Sequence, residues 1–366
     1  MRTHRLSMPL CLKASSTLAI VIATMAMPAV AQTQVSLYGL LDVSAERISG
    51  DGFSLSRVSS SNLSTSRLGL RADEDLGGGL KVRATLETAV AADTGANSGG
   101  NSRFFDRHAH VALIGSWGEL RLGRTDTPLG LAADMAGTQA FDDLTIVGAR
   151  GATRYRRTDN SITYLLPTVI TGLSGQVQYS LGSSGFGGSG LSDNRVTGDE
   201  ATGGKTWGFN LVYAAGPFQA GLGYLKARDE NIAVAGDQGA NATMVLASYD
   251  FGPVKITAYA NDETNTSVIS GADHLRTLGA KLAVPVGQDL LLTAGASRTR
   301  GTTDARGDED RVTIFSLKGV YTLSRRTSLY GWLVSVDNED AANKGVIAPG
   351  AGQSGRGLAF GVRHLF

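Results

Sequence analysis

The side chains that could serve as nucleophiles or metal ligands are few, and their spacing does not suit catalysis. The only cysteine is Cys11, and the one close pair among the five histidines, His108 and His110, has no third ligand nearby in sequence. A Ser–His hydrolase would need a G-x-S-x-G elbow, which this sequence lacks. Residues 185–190 fit G-x-G-x-x-G without a strand-to-helix context, and we interpret them as a flexible loop. We therefore predict that the protein is not an enzyme and has no cofactor or metal.

Composition narrows the class of protein further. Lys and Arg number 34 against 33 Asp and Glu, a formal charge of +1 that gives no footprint for nucleic-acid binding. Charged residues make up 18% of the chain, below the roughly 25% of an ordinary soluble domain. The mean hydropathy of −0.03 excludes a bundle of transmembrane helices.

The N-terminal residues have the pattern of a secretory signal peptide. Arg2, Arg5 and Lys13 precede an apolar stretch over 14–27, and Ala29-x-Ala31 follows as the cleavage pattern. We predict that residues 1–31 are removed and that residues 32–366 form one folded unit. Cys11 would leave with the leader, so a disulfide scaffold is excluded.

A period of two recurs along the predicted mature chain. In residues 80–88, Leu80, Val82, Ala84 and Leu86 share one face, and the other face is polar and charged. Sixteen segments of this kind predict strands: Val35–Arg47, Ser66–Asp75, Leu80–Thr88, Arg103–Gly115, Glu119–Thr125, Thr158–Leu166, Leu173–Leu181, Lys205–Ala215, Phe218–Ala227, Ala242–Phe251, Val254–Asp262, Leu275–Val284, Leu290–Arg300, Arg311–Leu323, Thr327–Val336 and Arg356–Phe366.

The connections between these segments alternate between short turns and long loops, of which 126–157 is the longest. Short turns at one end and long loops at the other are typical of barrels that span a membrane. We predict an all-β fold, a 16-stranded antiparallel transmembrane β-barrel with apolar side chains facing lipid and charged ones facing water. Aromatic residues near strand ends are predicted to form interfacial girdles: Tyr38, Trp117, Tyr164, Tyr249, Phe251, Tyr321, Tyr330, Trp332 and Phe366.

Five fragments, in order along the chain, resemble the Gram-negative porin family, most closely the general porins of β-proteobacterial outer membranes. They are the opening VSLYGLLD at 35–42, SRLGLR at 66–71 with EDLGGGL at 74–80, GELRLGR at 118–124, LSRRT at 323–327, and the C-terminal GLAFGVRHLF ending at Phe366. The resemblance implies an outer-membrane homotrimer through which small hydrophilic solutes and ions diffuse passively.

The resemblance also implies where such a channel is narrowest. The third long loop, 126–157, would fold into the barrel and bring Asp126, Asp134, Asp142 and Asp143 opposite a basic wall. The motifs match that wall to Arg67 and Arg107, and Arg150 follows the loop with a different spacing. Three further arginines share their inward parity: Arg71, Arg83 and Arg121. Inward bases outnumber the loop acids, which favours a weak anion preference. The same parity turns His108 and His110 outward.

Other functions of the same barrel stay open at this point. A solute-specific channel for phosphate or organic anions would show a saturable site, and an adhesion protein would have a sealed lumen. The outer-membrane lipid and lipopolysaccharide are the expected surroundings. Asp308-Glu309-Asp310 at a loop tip is interpreted as solvated, with divalent-cation binding as the alternative.

Overall fold

The computed structural model describes residues 33–97, 104–136, 156–181, 205–229, 238–264, 274–302, 309–339 and 352–366. Its elements are β1 (Gln34–Gly50), β2 (Phe53–Ser60), β3 (Arg67–Gly77), β4 (Leu80–Ala89), β5 (His108–Gly115), β6 (Gly118–Asp126), α1 (Pro128–Ala136), β7 (Arg157–Leu165), β8 (Leu173–Ser180), β9 (Thr206–Ala215), β10 (Phe218–Asp229), β11 (Gln238–Asp250), β12 (Lys255–Thr264), β13 (His274–Val286), β14 (Leu290–Thr302), β15 (Glu309–Thr322), β16 (Thr327–Glu339) and β17 (Gly355–Leu365). The described part of the chain has no helix long and apolar enough to cross a membrane. The predicted leader, 1–31, lies outside the described residues.

The sheet closes because β1 pairs with strands from both ends of the chain. One edge of β1 runs antiparallel to β17, from Leu40 opposite Leu365 to Gly50 opposite Gly355. Its other edge pairs with β3 and then with β2, which lie end to end and form a single stave. All later strands pair antiparallel with the next in sequence. The predicted 16-stranded closed barrel is confirmed.

β2 is a strand that the sequence prediction missed. Residues 48–65 read as a long loop because β2 is rich in serine and alternates weakly. Asp51-Gly52 is nevertheless a hairpin turn, with Gly52 at a φ of +78°, and it returns the chain along β1. The predicted loop at 48–65 therefore contains a tight turn and the whole of β2. After β2, the short segment 61–66 runs inside the barrel to β3.

The two faces of the barrel are inverted relative to a soluble protein. Leu122 and Phe360 are 54% and 65% exposed on the outer face, whereas Asp42 and Gln178 are almost fully buried on the inner face. Strand alternation puts apolar side chains outside and polar ones inside, as a barrel in lipid requires.

The alternation predicted a polar inner face, but part of this face is apolar. Ile48, Ile314, Trp332 and Val336 form a buried apolar cluster on the inner side of the seam strands, together with Val312, Tyr330, Val334 and Ala359. Here apolar residues occupy both parities of β15 and β16, so alternation alone does not separate the two faces.

The predicted aromatic girdle is correct only for part of its members. Trp117 stacks on Tyr164 with ring centroids 6.3 Å apart, and Tyr249 lies 4.5 Å from Phe251, both pairs near the short turns. Three others were placed wrongly and point into the barrel: Tyr38, Tyr330 and Trp332.

The inward aromatic rings lie flat over glycines on the neighbouring strand. Tyr38 is paired with Gly69, Tyr259 with Gly279 and Tyr330 with Gly361. A Cβ at any of these three glycines would lie within 2.4 Å of the facing ring. At the seam, the ring of Phe366 covers Gly39 on the outer face in the same manner. Part of the high glycine content therefore gives aromatic rings a place to lie against the wall.

Asp42 joins three parts of the chain near the seam. Its buried carboxylate accepts hydrogen bonds from the Tyr330 hydroxyl (2.5 Å) and from the backbone N–H groups of Leu63 (2.9 Å) and Ser64 (2.6 Å). The carboxylate thus ties β1 to β16 across β17 and holds the 61–66 segment inside the barrel.

We predict that Asp42→Ala lowers the temperature at which the folded barrel unfolds in detergent. The substitution leaves a buried hydroxyl and two N–H groups without their acceptor, at about 1–3 kcal/mol for each unmet group. Heat-dependent mobility in electrophoresis measures this transition. The control is Asp75→Ala, which removes an exposed carboxylate that accepts only the Gly77 N–H in a turn. Equal transition temperatures for the two variants would contradict the assigned role of Asp42.

Candidate functional site

The one described helix, α1, starts where β6 ends and lies inside the barrel. Thr127 caps it, because its hydroxyl accepts the Gly130 N–H at 3.0 Å, and Pro128 takes the first helical position, where no N–H is needed. The Thr127 N–H donates to the Arg156 carbonyl (2.8 Å), so the two ends of the predicted loop 126–157 lie side by side at the barrel wall.

Small residues let α1 pack closely on the inner side of β9 to β12. Leu129, Ala133 and Ala136 contact a buried apolar patch formed by Leu225, Ala242, Met244, Leu246 and Tyr259. Gly223 lies directly beneath the helix, where an added Cβ would be 2.6 Å from the Ala132 Cβ. Asn210 also donates to the Pro128 carbonyl at 3.0 Å. The helix therefore covers one side of the lumen and leaves the β3–β7 side bare of it.

The inner wall of β3 to β5 carries a charged cluster centred on Glu87. Its carboxylate accepts the Arg107 Nε–H at 2.5 Å and the Tyr38 hydroxyl at 3.0 Å, with the Arg67 Nε at 3.8 Å. Arg71 lies over the Tyr38 ring, 5.4 Å from its centroid. Two predicted arginines therefore converge on one carboxylate, and a third, Arg71, lies over the tyrosine that donates to it.

A second carboxylate, Asp126, continues the cluster toward α1. The Arg157 Nε is 2.9 Å from its Oδ1, the His108 Nε2 is 3.4 Å from its Oδ2, and the Arg156 Nε is at 4.0 Å. Arg156 also makes a bidentate pair with Asp134 on α1, at 2.5 and 2.7 Å. Two of the predicted acids thus contact arginines directly instead of facing them across open water.

The pKa values of Asp134 on α1 and of Arg156 follow from the burial of the two side chains and from their charges. Burial raises the pKa of Asp134 above its ordinary value, although the Arg156 guanidinium opposes this shift. Burial would lower the pKa of Arg156, but the carboxylates of Asp134 and Asp126 outweigh it and raise that pKa. Arg156 therefore keeps its charge throughout the accessible pH range.

The other predicted residues lie elsewhere. Arg83 and Arg121 face the lumen nearer the short turns, where each has its own acid: Asp73 at 2.6 Å and Glu119 at 2.6 Å. Arg83 is four residues from Glu87 along β4, or about 13 Å. Three predicted residues lie outside the described part of the chain: Asp142, Asp143 and Arg150.

The prediction that His108 and His110 face outward is wrong. Ala109, Val111 and Leu113 form the outer face of β5, and both histidines point into the barrel. The error came from Arg107, which does lie inside but precedes the first residue of the strand and is not bound by its alternation. Among the described residues, no group of three or more His, Cys, Asp or Glu side chains could hold a metal.

Sequence reasoning also left out four residues of the cluster: Glu87, His108, Arg156 and Arg157. Glu87 already belonged to the charged face of its strand, so alternation could have identified it. Arg156 and Arg157 directly follow the long loop and could have been preferred to Arg150 on that ground. Together Arg67, Arg71, Arg107, Arg156 and Arg157 outnumber Glu87, Asp126 and Asp134.

We predict that Gly223→Val moves α1 toward the centre of the lumen and lowers single-channel conductance. Carbon atoms separate to at least 3.5 Å, so relief of the 2.6 Å approach to Ala132 needs a shift of about 1 Å. Recordings in a planar bilayer measure the effect. Gly319→Val on β15 is the matched control, because a Cβ there meets only Leu292 and Leu290, at 3.3 and 3.9 Å, and neither belongs to the patch beneath α1. The same conductance in both variants would contradict the packing role.

Known outer-membrane proteins are similar to this chain along most of its length. A family profile described as Gram-negative porin matches residues 16–341. Outer membrane porin protein 32 of Delftia acidovorans is 30% identical over 363 residues, covering 92% of this chain and 95% of that protein. An outer membrane porin protein of Bordetella pertussis is 26% identical, covering 95% of this chain and 98% of that protein. Among solved structures, the anion-selective porin from Comamonas acidovorans aligns with a TM-score of 0.71 and 27% identity, covering 92% of this chain and all of that one.

Proposed function

Because the chain belongs to the Gram-negative porin family, we propose that its lumen passes small hydrophilic solutes and ions by passive diffusion, with a weak preference for anions. The protein is an outer-membrane porin, and its barrel crosses the bilayer. Family and fold are those of a channel rather than an enzyme.

The observation that carries the anion preference is the excess of arginine on the inner wall. The cluster has five arginines and three carboxylates, so this part of the wall keeps a positive field. The arginines are Arg67, Arg71, Arg107, Arg156 and Arg157. The solved porin from Comamonas acidovorans, which is named anion-selective, supports the same sign.

The position of α1 gives this field its effect on solutes. We propose that residues 126–157 narrow the lumen, because α1 occupies the β9–β12 side and leaves passage along the arginines. At about 0.15 M salt the Debye length is roughly 8 Å. A solute in a narrowed lumen passes within that distance of the cluster, whereas charges in wider vestibules are screened. Anions gain attraction there, and apolar solutes must displace oriented water.

A solute-specific anion channel is the second candidate. Arginines that converge on one wall would suit a phosphate or an organic anion, since guanidinium groups bind such oxyanions in bidentate fashion. Conductance that saturates with phosphate concentration would favour this candidate over general diffusion.

Processing and assembly belong to the same proposal. We infer that residues 1–31 are a signal peptide and that the barrel works as a homotrimer in contact with lipopolysaccharide. One solved structure with this fold, OmpT of Vibrio cholerae, is described as a trimer. The mass of the mature chain tests removal of the signal peptide, and the mass of the detergent-solubilised oligomer tests the homotrimer.

We predict that the double variant Arg67→Gln/Arg107→Gln shifts the reversal potential toward the cation side. The shift follows because Glu87 loses both of its arginines and becomes an unbalanced negative charge at the wall. Single-channel recording under a KCl gradient measures it. Arg83→Gln is the control, since its distance of about 13 Å from Glu87 exceeds the Debye length. A complete lack of conductance steps would reject the channel, and an unshifted reversal potential would remove these arginines from the selective site.

Glu87→Gln is expected to act in the opposite direction. It removes one negative charge and retains an amide that can accept a hydrogen bond from Arg107, so the reversal potential should move further toward anions. Its control is Glu119→Gln, which removes an inward carboxylate paired with Arg121 near the short turns. A cation-sided shift in Glu87→Gln would contradict the electrostatic account.

A further inference from the structure

A further arginine, Arg363, reaches the lumen from β17, the last strand of the barrel. Phe360 and Val362 are exposed on the outer face of this strand, and alternation turns Arg363 inward. The register puts Arg363 between Asp42 of β1 and Ser328 of β16, which are both buried on the inner face. Arg363 itself is only partly buried, so part of its side chain is open to the lumen.

The hydrogen bonds of Arg363 go to uncharged hydroxyl groups. Its Nη1 donates to the Ser64 Oγ at 3.2 Å, and its Nη2 donates to the Ser328 Oγ at 3.3 Å. Its Nε has no hydrogen-bond partner. Among the residues that the structure describes, no carboxylate forms an ion pair with Arg363. The guanidinium is thus held in place by groups that do not neutralise it.

The acid nearest by register, Asp42, is occupied by other donors. Its Oδ1 accepts the Tyr330 hydroxyl, and its Oδ2 accepts the N–H groups of Leu63 and Ser64. Asp42 has no exposed surface, whereas Arg363 keeps some of its own. Asp42 therefore offsets part of the field of Arg363 without covering the guanidinium from an ion in the lumen.

The inward segment 61–66 connects Arg363 with the arginine cluster. Ser64 accepts the Arg363 Nη1, and the carbonyl of the next residue, Thr65, accepts the Arg67 Nη1 at 3.2 Å. Two strand spacings and one rung separate the Cα atoms of Arg67 and Arg363, or about 12 Å. Positive charge therefore continues from the cluster across the seam to β17.

The arginines nearer the short turns differ from Arg363 in their partners. Arg83 lies 2.6 Å from Asp73, and Arg121 lies 2.6 Å from Glu119. A close pair of opposite charges has little net field several ångströms away, because the two contributions nearly cancel. A guanidinium bound only by hydroxyl groups keeps its field. Arg363 is therefore expected to act on passing ions more strongly than either of these paired arginines.

We propose that Arg363 is a further specificity-determining residue of the channel, which attracts anions on the wall next to the cluster. This role rests on the proposed anion preference and adds to it a residue of the strand that closes the barrel. Arg363 acts through its charge, so a lysine would replace it and a neutral amide would not.

The first test is the reversal potential of single channels under a KCl gradient. In Arg363→Gln the permeability ratio of chloride to potassium should fall about twofold, because one unit charge at roughly a Debye length shifts the energies of the two ions in opposite directions. Arg363→Lys should keep the ratio. Arg356→Gln is the matched control, since it removes an exposed outward arginine from the same strand and should leave the ratio unchanged.

A second test separates the charge of Arg363 from its contacts with Ser64 and Ser328. The only cysteine of the sequence, Cys11, lies in the predicted leader, so Arg363→Cys puts a single thiol in the mature chain. Methanethiosulfonate reagents are added to channels that already conduct, and each channel is compared before and after reaction. A trimethylammonium reagent should raise the chloride-to-potassium ratio, and a sulfonate reagent should lower it.

Three results would overturn the proposal. An unchanged ratio in Arg363→Gln would remove the residue from the selective wall. An equal fall in Arg363→Lys would assign the effect to the hydroxyl contacts instead of the charge. A thiol that does not react, or shifts of one sign with both reagents, would place the side chain away from the ion path. A cation-sided reversal potential of the unmodified protein would contradict the proposed anion preference, whereas opposite shifts with the two reagents would still support Arg363.

Discussion

The structure depends on one constraint: in hydrocarbon, each backbone N–H and C=O must find its partner within the protein. A helix meets this constraint within itself, whereas a sheet must have no free edge. Antiparallel pairing between successive strands leaves one free edge on the first strand and one on the last, and the β1–β17 ladder pairs these two edges. The seam is extended by the terminal residue, since Phe366 and Gly39 exchange backbone hydrogen bonds at 3.1 and 3.0 Å. The position of the C-terminal aromatic residue is thus part of closure.

Closure also dictates where charge can be placed. Lipid excludes charge from the outer band, so carboxylates and guanidinium groups collect inside, where they must be satisfied by one another or by water. Glu87 and Asp126 each collect more than one cation, and α1 extends this network through the pair of Asp134 with Arg156. The interior is consequently divided into a side covered by a small-residue helix and a side lined by arginines. The electrical character of the lumen is a consequence of the same exclusion that closes the sheet.

The fold was predictable because alternation and the rhythm of connections are local properties of the sequence. Each of the sixteen predicted segments coincides with a strand of the barrel, and most ends differ from the structure by a few residues, but no predicted segment covers β2. The weaker points were local too: serine-rich β2 lacked a clear period, and Arg107 misled the phase of β5. The site was less predictable, because ion pairs join residues far apart in sequence. Arg67, Arg71, Arg107, Asp126 and Asp134 come together, but the motifs gave no indication that Glu87 connects the arginines or that Arg156 connects α1 to the wall.

The pairing of inward aromatic rings with glycine has a consequence for the bore of the barrel. A tyrosine that lay across a bulkier neighbour would have to tilt, and its ring would then occupy part of the aqueous cross-section. Because Gly69, Gly279 and Gly361 provide shallow seats, these rings thicken the wall by little more than their own depth. The width of the lumen therefore depends partly on these glycines. Replacing them with larger uncharged residues would constrict the lumen without adding any charge.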